Sequence, residues 1–392
     1  MTLADRWLLP DGVDEALPQQ AAKIEHLRRT LLNLHESWGY QLVIPPLLEY
    51  LDSLLIGAGS DLEIETFKVI DQLSGRLMGI RADFTSQVAR IDAHCLKNEG
   101  VQRLSYCGSV LRTTPAGLDG TRSPIQLGAE LYGHSTIESD LEILSLMLET
   151  LTCAGLKKLV LDVGHIDVVR GVMAASNLTQ EQEAKLALLY KAKGLPELEA
   201  FLAKSDIDDQ AKHWLSVLPR LCGGVEALSL AERELAGVSQ SVSDALAQIR
   251  AVVDVVSSRF ESVGLHFDMS DLESYSYHTG LVFAAYVPGH GNAVARGGRY
   301  DYIGEVFGRS RPATGFSTDV KTLVSMVDVA VAQKPSVLAP VAAKNDVLWQ
   351  RVQALRNEGY RVLEQLDGSA DASNFDFQLV AEGDDWKLVS VQ

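Results

Sequence analysis

Cysteine is scarce in this chain of 392 residues: there are four, Cys95, Cys107, Cys153 and Cys222, with no Cys-x-x-Cys pair and no Cys/His cluster. A disulfide framework or a structural zinc site needs closely grouped ligands, so neither is expected, and all four thiols are read as buried or inert. His94 and His165 are equally isolated, so no metal role is assigned to them. Long apolar runs are missing as well. No stretch approaches the ~18 uninterrupted apolar residues that a membrane span needs. Met1-Thr2-Leu3-Ala4-Asp5-Arg6 also lacks the charged-then-apolar layout of a secretion signal, so a cytoplasmic protein without a membrane partner is expected. The third shortage is positive charge: 35 Lys and Arg stand against 52 Asp and Glu, a formal net charge of −17. A surface that tracks phosphates needs clustered cations, which disfavours nucleic acid as partner and leaves only a local basic patch open.

Apolar residues, by contrast, are ample at 46%, enough for one domain of ~250 to 300 residues and a smaller second one. From Pro18 to Ser37 the residues Ile24, Leu27, Leu31 and Leu34 recur at spacings of three and four, which predicts an amphipathic helix. A strand over 41–44 follows, stopped by Pro45-Pro46 because proline removes a ladder donor. Further strands are expected at 67–70, 103–106, 126–132 and 159–163, with helices at 86–98 and 139–152 between them. Residues ~166–262 carry long apolar periodicity with few β-branched runs and read as a helical insertion. Strands return at 265–269, 281–287, 292–296 and 313–317, with Pro288-Gly289-His290-Gly291 as a hairpin turn, and such short turns favour antiparallel pairing. Ala332-Gln333-Lys334-Pro335 resembles a linker. Beyond it the pattern strand, helix, strand, strand, strand predicts a small α/β domain over 332–392, leaving 1–331 as the main domain.

The densest polar signal lies between Arg81 and Glu130. Gln126, Gly128 and Glu130 alternate along a strand, so the amide and the carboxylate share one sheet face, and Arg112 follows a strand-like run that brings it within reach. Acids for an ammonium group and arginine for a carboxylate would hold a small zwitterion. A buried structural ion-pair network explains the same residues, and the pattern alone does not choose between the two.

The sequence also carries a resemblance in five pieces, in order. Trp38-Gly39-Tyr40-Gln41 with Pro45-Pro46-Leu47-Leu48-Glu49 resembles motif 1 of class II aminoacyl-tRNA synthetases. Arg112 to Glu130 has the length and endpoints of motif 2 in histidyl-tRNA synthetases. Leu281-Val282-Phe283 and Gly297-Gly298-Arg299-Tyr300-Asp301 fall at that family's histidine signatures, and Gly315-Phe316-Ser317 at the start of motif 3. The match spans residues 8 to 330. It implies an α+β fold, a class II synthetase-like antiparallel sheet flanked by helices. It also implies a histidine-binding set of Asp83, Thr85, Arg112, Gln126 and Glu130, with Glu130 on the imidazole and Asp83 and Thr85 on the ammonium. The family's imidazole-contacting tyrosine aligns with His278, so Tyr275 or Tyr277 is expected to compensate.

Departures from the family decide what the resemblance implies for activity. The carboxylate that holds adenine is replaced by Thr114, and the arginine that clamps the triphosphate by Thr322. The family's catalytic arginine has become Glu273, in Glu273-Ser274-Tyr275-Ser276-Tyr277-His278. Transfer at phosphorus depends on cations around the oxygens where charge accumulates. A carboxylate ~4 Å from a phosphate charge opposes it by about 4 kcal/mol at an effective dielectric of 20, and each 1.36 kcal/mol is tenfold in rate, so no ATP chemistry is expected. About 57 C-terminal residues are too few for the family's anticodon domain, so no tRNA partner is expected.

A synthetase-like body that keeps a histidine pocket without ATP chemistry resembles the regulatory subunits of short-form ATP phosphoribosyltransferase. That resemblance implies a non-catalytic subunit with no cofactor. Its implied partner is a short catalytic phosphoribosyltransferase chain, joined in a hetero-octamer, with histidine as inhibitory effector. A class II-like dimer is expected through the motif 1 helix and strand, with Ile24, Leu27, Leu31 and Leu34 supplying an apolar face. Two rivals stay open, a divergent histidyl-tRNA synthetase and a free-standing histidine sensor.

Overall fold

Pro18 opens the first helix of the computed structural model, where its fixed φ suits the first turn and its missing N–H costs nothing. The model describes residues 8–55, 60–115, 120–271, 278–342, 345–366 and 371–391. The helix runs Pro18–Ser37 and buries Ile24, Leu27, Leu31, Leu32 and His35 against its own domain. His35 Nε2 lies 3.1 Å from Thr150 Oγ1, and burial pushes its pKa down to about 4, so the ring is a neutral core residue.

The chain divides into two compact units, Met1–Val329 and Ala330–Gln392. The first contributes β1 (Gln41–Leu42), β2 (Leu48–Tyr50), β3 (Phe67–Ile70), β4 (Leu77–Ile80), β5 (Gln102–Ser109) and β6 (Ile125–Tyr132). Then come β7 (Leu159–His165), β8 (Cys222–Gly223), β9 (Val263–Asp268), β10 (Leu281–Tyr286), β11 (Ala295–Arg299) and β12 (Ala313–Asp319). Nine of these form one sheet in the order β1-β5-β6-β12-β11-β10-β7-β9-β8, and β2-β4-β3 form a small separate one. The six central strands, β5 to β7 in that order, pair antiparallel, while β1 on β5 and β9 on β7 are parallel. The sheet is therefore mixed at its flanks and antiparallel where the polar residues lie.

Each face of this sheet has its own environment. Leu127, Ala129, Leu131, Phe283 and Phe316 point into the main core, shared with helices Pro18–Ser37, Ile137–Cys153 and Gln240–Arg259. The alternate residues of β6 face the other way, toward a smaller cluster of Phe84, Val88, Leu104, Tyr106, Tyr132 and Tyr300. Between β7 and β9 lies the helical insertion, whose helices start at sequence-encoded caps: Thr179 with Gln182 in a capping box, and the side chains of Asp208 and Ser239.

Several expectations shift. The helix predicted over 86–98 is α-helical only for Thr85–Arg90 and widens into a π-helical turn over Ile91–Leu96. There the buried Asp92 pairs with Arg311 at 2.9 Å, and Arg311 also donates to the Asn98 carbonyl beyond the turn. The strand predicted over 292–296 lies at Ala295–Arg299, because Gly289 and Gly291 belong to a longer turn. Strand β2 and the two-residue β8 are too short to be read from alternation, and the four-residue β4 is not among the predicted strands. Cys95, Cys153 and Cys222 are exposed and Cys107 is half-buried, so the thiols are not buried as a group. Among the described residues no helix is long and apolar enough to cross a membrane.

The second unit holds β13 (Ser336–Ala339), helix Asp346–Asn357 capped by Asn345, β14 (Arg361–Glu364), β15 (Phe377–Glu382) and β16 (Asp385–Ser390). Its sheet order is β14-β13-β15-β16, with β13 parallel to both neighbours. Val337, Ala339, Leu348, Val352, Leu355 and Leu379 form its core.

One polar clamp sets the position of β11. Arg299 donates to Asp140 Oδ2 from Nε at 3.0 Å and from Nη2 at 2.8 Å, to Ser139 Oγ at 2.8 Å, and to the carbonyls of His134 and Thr136. Burial raises the Asp140 carboxyl and the Arg299 guanidinium opposes that shift. Removing the arginine leaves a buried carboxylate without its counter-charge. Arg299→Met is expected to cost about 3–5 kcal/mol of unfolding free energy, measured by denaturant titration; a loss below ~1 kcal/mol would show the clamp to be marginal.

Candidate functional site

Gln126, Gly128 and Glu130 alternate on β6, so all three face the smaller cluster. The register sets their neighbours: Gly315 of β12 lies opposite Glu130, and Tyr106 of β5 opposite Gly128. Both glycines are needed for close approach. A Cβ on Gly315 would collide with the Glu130 carboxylate, and one on Gly128 with the Tyr106 hydroxyl. The floor of the site is therefore bare backbone, over which a carboxylate and a phenol lie flat.

Glu130 is 2% exposed. Tyr106 donates to its Oε1 at 2.9 Å, Tyr300 donates to Oε2, and the Thr85 hydroxyl donates to Oε1 at 3.4 Å. Tyr106 is itself held by Phe84, stacked at 4.6 Å with an interplanar angle of 8°. Burial pushes the Glu130 pKa up to about 8, the hydroxyl donors oppose it, and the nearby Asp83 charge adds to the rise. Burial thus favours the protonated form of this acid, while the three hydroxyls that donate to it favour the carboxylate.

The other end is built around Asp83. Gln126 Nε2 donates to Asp83 Oδ2 at 2.6 Å, the Thr85 N–H donates to Oδ1 at 2.7 Å, and the Phe84 N–H donates to Gln126 Oε1 at 3.2 Å. Thr85 thus bridges the two ends, its amide on Asp83 and its hydroxyl on Glu130. Arg112 reaches the same neighbourhood, its Nε 3.4 Å from the Ala82 carbonyl and 3.7 Å from Glu65 Oε2. His278 stands over Gly298, the residue that β11 pairs with Gly315, and the Arg170 guanidinium donates to its carbonyl at 3.2 Å. The structure brings Asp83, Thr85, Gln126 and Glu130 into one hydrogen-bonded set, with Arg112 and His278 on its borders. Tyr275, Tyr277 and Glu273 lie outside the described residues.

Two residues of the set were not singled out from the sequence. Tyr106 and Tyr300 supply donors to Glu130; both lie in stretches that the sequence marks as polar or family-like, but neither was named as a site residue. The available signal was Gly297-Gly298-Arg299-Tyr300-Asp301, where Arg299 turns into the core clamp and Tyr300, by alternation, onto the site face.

At two positions where the resemblance places groups that hold a nucleotide, a carboxylate and an arginine, threonines stand instead. Thr322 donates from Oγ1 to Asp319 Oδ2 at 2.7 Å, and its N–H donates to the same oxygen, so it completes a helix cap. Thr114 is exposed. Among the described residues, no group of three His, Cys, Asp or Glu side chains is placed to hold a metal ion. His165 acts as a cap, its Nδ1 accepting from the Asp167 N–H at 3.2 Å.

Comparison with known proteins adds to this geometry. The family model described as histidyl-tRNA synthetase matches residues 12–323, and the model described as the ATP phosphoribosyltransferase subunit HisZ C-terminal domain matches residues 334–389. A curated protein of Marinomonas sp. (strain MWYL1), named ATP phosphoribosyltransferase regulatory subunit, is 68% identical over all of both chains. The chain belongs to the ATP phosphoribosyltransferase regulatory subunit family. A second curated member, from Thioalkalivibrio sulfidiphilus, is 50% identical over 94% of this chain and 93% of its own length. The solved structure of an ATP phosphoribosyltransferase regulatory subunit/histidyl-tRNA synthetase from Bacillus halodurans superposes with a TM-score of 0.80 at 26% identity, covering 94% of this chain and 95% of that one. Histidyl-tRNA synthetase from Nostoc sp. PCC 7120 shares the fold, with a TM-score of 0.74 at 17% identity over 95% of this chain and 91% of that one. Membership of a family of regulatory subunits accords with the nucleotide positions, where threonines cap a helix or face solvent.

The raised Glu130 acid has a consequence for stability. Its folded pKa of about 8 exceeds the ordinary 4.5, so between those values the folded chain keeps a proton that the unfolded chain releases. Its contribution to stability therefore falls as pH rises from about 4.5 to 8 and levels off above that. Glu130→Gln is expected to flatten this part of the stability-against-pH curve, read by thermal unfolding at a series of pH values; parallel curves for variant and wild type would show that Glu130 titrates normally.

Proposed function

We propose that the chain binds free histidine among Asp83, Thr85, Arg112, Gln126 and Glu130 as an effector, and passes that signal to a short catalytic ATP phosphoribosyltransferase subunit. The assembly is a cytoplasmic hetero-octamer acting at the first step of histidine biosynthesis. The observation that carries this reading is the buried Glu130 acid facing Asp83 and Gln126 across a glycine floor. An imidazole offers Glu130 a nitrogen partner that no aliphatic side chain can. A ligand such as leucine would leave that acid buried without one, and a site of this kind rejects it more strongly than a missing methylene accounts for. The ammonium group suits Asp83.

An imidazole N–H donating to Glu130 favours its ionised form, against the burial that favours the protonated one. Regulation then requires that the subunit bind histidine more tightly in the state that slows its partner, since an effector shifts an equilibrium only by its difference in affinity.

Turnover of a mixture of this chain and such a catalytic subunit, with and without histidine, tests the proposal. Wild type is expected to stimulate turnover and to confer inhibition by histidine. Glu130→Ala is expected to raise the inhibitory concentration roughly 10- to 150-fold, the worth of one charge-assisted hydrogen bond, with Glu130→Gln costing less and both still stimulating. Inhibition untouched by Glu130→Ala would move the effector site elsewhere. Histidine-dependent exchange of pyrophosphate into ATP would instead restore the enzyme reading.

Self-association is proposed through the strand part of the motif 1 surface rather than through the helix. Ile24, Leu27 and Leu31 are spent on the chain's own core. Exposed apolar side chains gather instead along the segment after that helix and on the small sheet, among them Leu42, Ile44, Leu47, Leu48, Ile70 and Leu77. A second copy covering this strip would remove large apolar residues from water, Ile44 being 84% exposed. Sedimentation velocity at micromolar concentration is expected to show a dimer that Ile44→Glu converts to monomer; a wild-type monomer would refute it.

A further inference from the structure

At the edge of the main sheet, outside the proposed histidine site, a thiol, an imidazole and a carboxylate stand in line. Cys222 Sγ lies 3.5 Å from His266 Nε2, and His266 Nδ1 lies 2.8 Å from Asp162 Oδ1. We infer that Cys222 is a base-assisted nucleophile and a modification site for small uncharged peroxides, with His266 as its base and Asp162 as the residue that positions the base.

The register of three strands sets up this line. Asp162 of β7 is opposite His266 of β9, so the two side chains leave the sheet on one face. Cys222 of β8 is opposite Asp268, two residues beyond His266 on β9, which puts the thiol on that face as well. Leu161, Val163 and Phe267 point the other way, into the main core. Strand β8 is the last of the sheet, and Cys222 is exposed there, within reach of a reagent from solvent. Positions 162, 222 and 266 are too far apart in the chain for the sequence to connect them.

The carboxylate fixes what each ring nitrogen does. An N–H on Nδ1 donates to Asp162, which leaves the Nε2 lone pair toward the thiol; a nucleophile whose base is oriented by a third group is the arrangement that activates thiols and hydroxyls. This thiol needs the help. Burial and the Asp268 carboxylate push it above its ordinary range, Lys193 opposes them and Asp162 adds to the rise, so the thiol rests protonated. Lys193 pairs with Asp268 and lies 3.0 Å from Ser270 Oγ, which offsets one of the two negative charges beside the sulfur. The remaining acidic surroundings disfavour anionic reagents. Thiol and carboxylate meet opposite nitrogens of the ring rather than a common point, and among the described residues no group of three such side chains is placed to hold a metal ion. In the proposed step the sulfur attacks one oxygen of hydrogen peroxide while its proton passes to Nε2, and the O–O bond breaks. The departing hydroxide takes that proton and leaves as water, so thiol and peroxide give sulfenic acid and water, the sulfur losing two electrons to the peroxide.

The other thiols supply the comparison. Cys153 is exposed too, and burial and the Glu149 charge push it up in the same sense, so it differs in having no imidazole hydrogen-bonded to it among the described residues. Cys95 has the Arg90 Nη1 at 3.9 Å, and a guanidinium takes no proton. The test treats the full chain with hydrogen peroxide, traps sulfenic acid with dimedone, and follows each cysteine by peptide mass spectrometry. Cys222 is expected to react about 100-fold faster than Cys153, the lower end of what a positioned base contributes; this comparison needs no variant. His266→Gln is expected to bring Cys222 down to the Cys153 rate, Asp162→Asn to lose part of the acceleration, and Asp162→Glu to recover some of it. Unchanged thermal unfolding and unchanged Cys153 labelling establish that the variants are folded. A Cys222 rate equal to that of Cys153, or one that His266→Gln leaves unchanged, overturns the inference. Acceleration with iodoacetamide but none with peroxide overturns the assignment to peroxides.

Discussion

A carboxyl group buried to 2% exposure under two tyrosine hydroxyls is the constraint on which the site depends. Isolated, a carboxylate in such a place would cost many kcal/mol, so it must be neutral, hydrogen-bonded or both. Glu130 is hydrogen-bonded by three hydroxyls, and burial raises its pKa to about 8. Much of the surrounding architecture follows. Gly128 and Gly315 leave the space into which the tyrosine and the carboxylate lie, Phe84 fixes Tyr106 by stacking, and the Arg299 clamp holds the strand that delivers Tyr300.

The same arrangement separates recognition from catalysis. Recognition of a small amino acid needs a few directional groups on a rigid floor, and the central antiparallel strands provide that floor. Nucleotide chemistry needs cations where phosphate charge develops. At the described position where the resemblance places one, Thr322 is absorbed into the cap of the helix that follows β12. The synthetase-like fold is thus shared by a family of regulatory subunits. Coupling to a partner requires that a ligand bind two states of the assembly with different affinity.

Much of this was legible in the sequence, and for particular reasons. The first helix was read with its observed limits, because Pro18 fixes its start and the apolar residues recur at helical spacing. Strand β6 and its shared Gln126/Glu130 face followed from alternation alone, since a strand's side chains have a period of two wherever it lies. Strands β2 and β8 were not legible, because two or three residues cannot display a period, and the four-residue β4 was missed, whereas β3 of the same length was read. The apolar face of the first helix was assigned to a dimer, but amphipathicity states only that a face is buried, and here the chain's own core buries it.

The sequence by itself determined which residues carry charge and hydrogen-bonding capacity, which of them share a strand face, and which cations a nucleotide site would lack. Tertiary structure alone decided which strands become neighbours. Tyr106 and Tyr300 are 194 residues apart in chain order once read as positions 106 and 300, and they converge on Glu130 only because β5 pairs with β6, β6 with β12 and β12 with β11. The same pairing turns Arg299 to the opposite side. Local periodicity gives the side on which a residue points within its own strand, but register between strands distant in sequence is set by packing across the whole sheet, and so is the pKa of the acid it encloses.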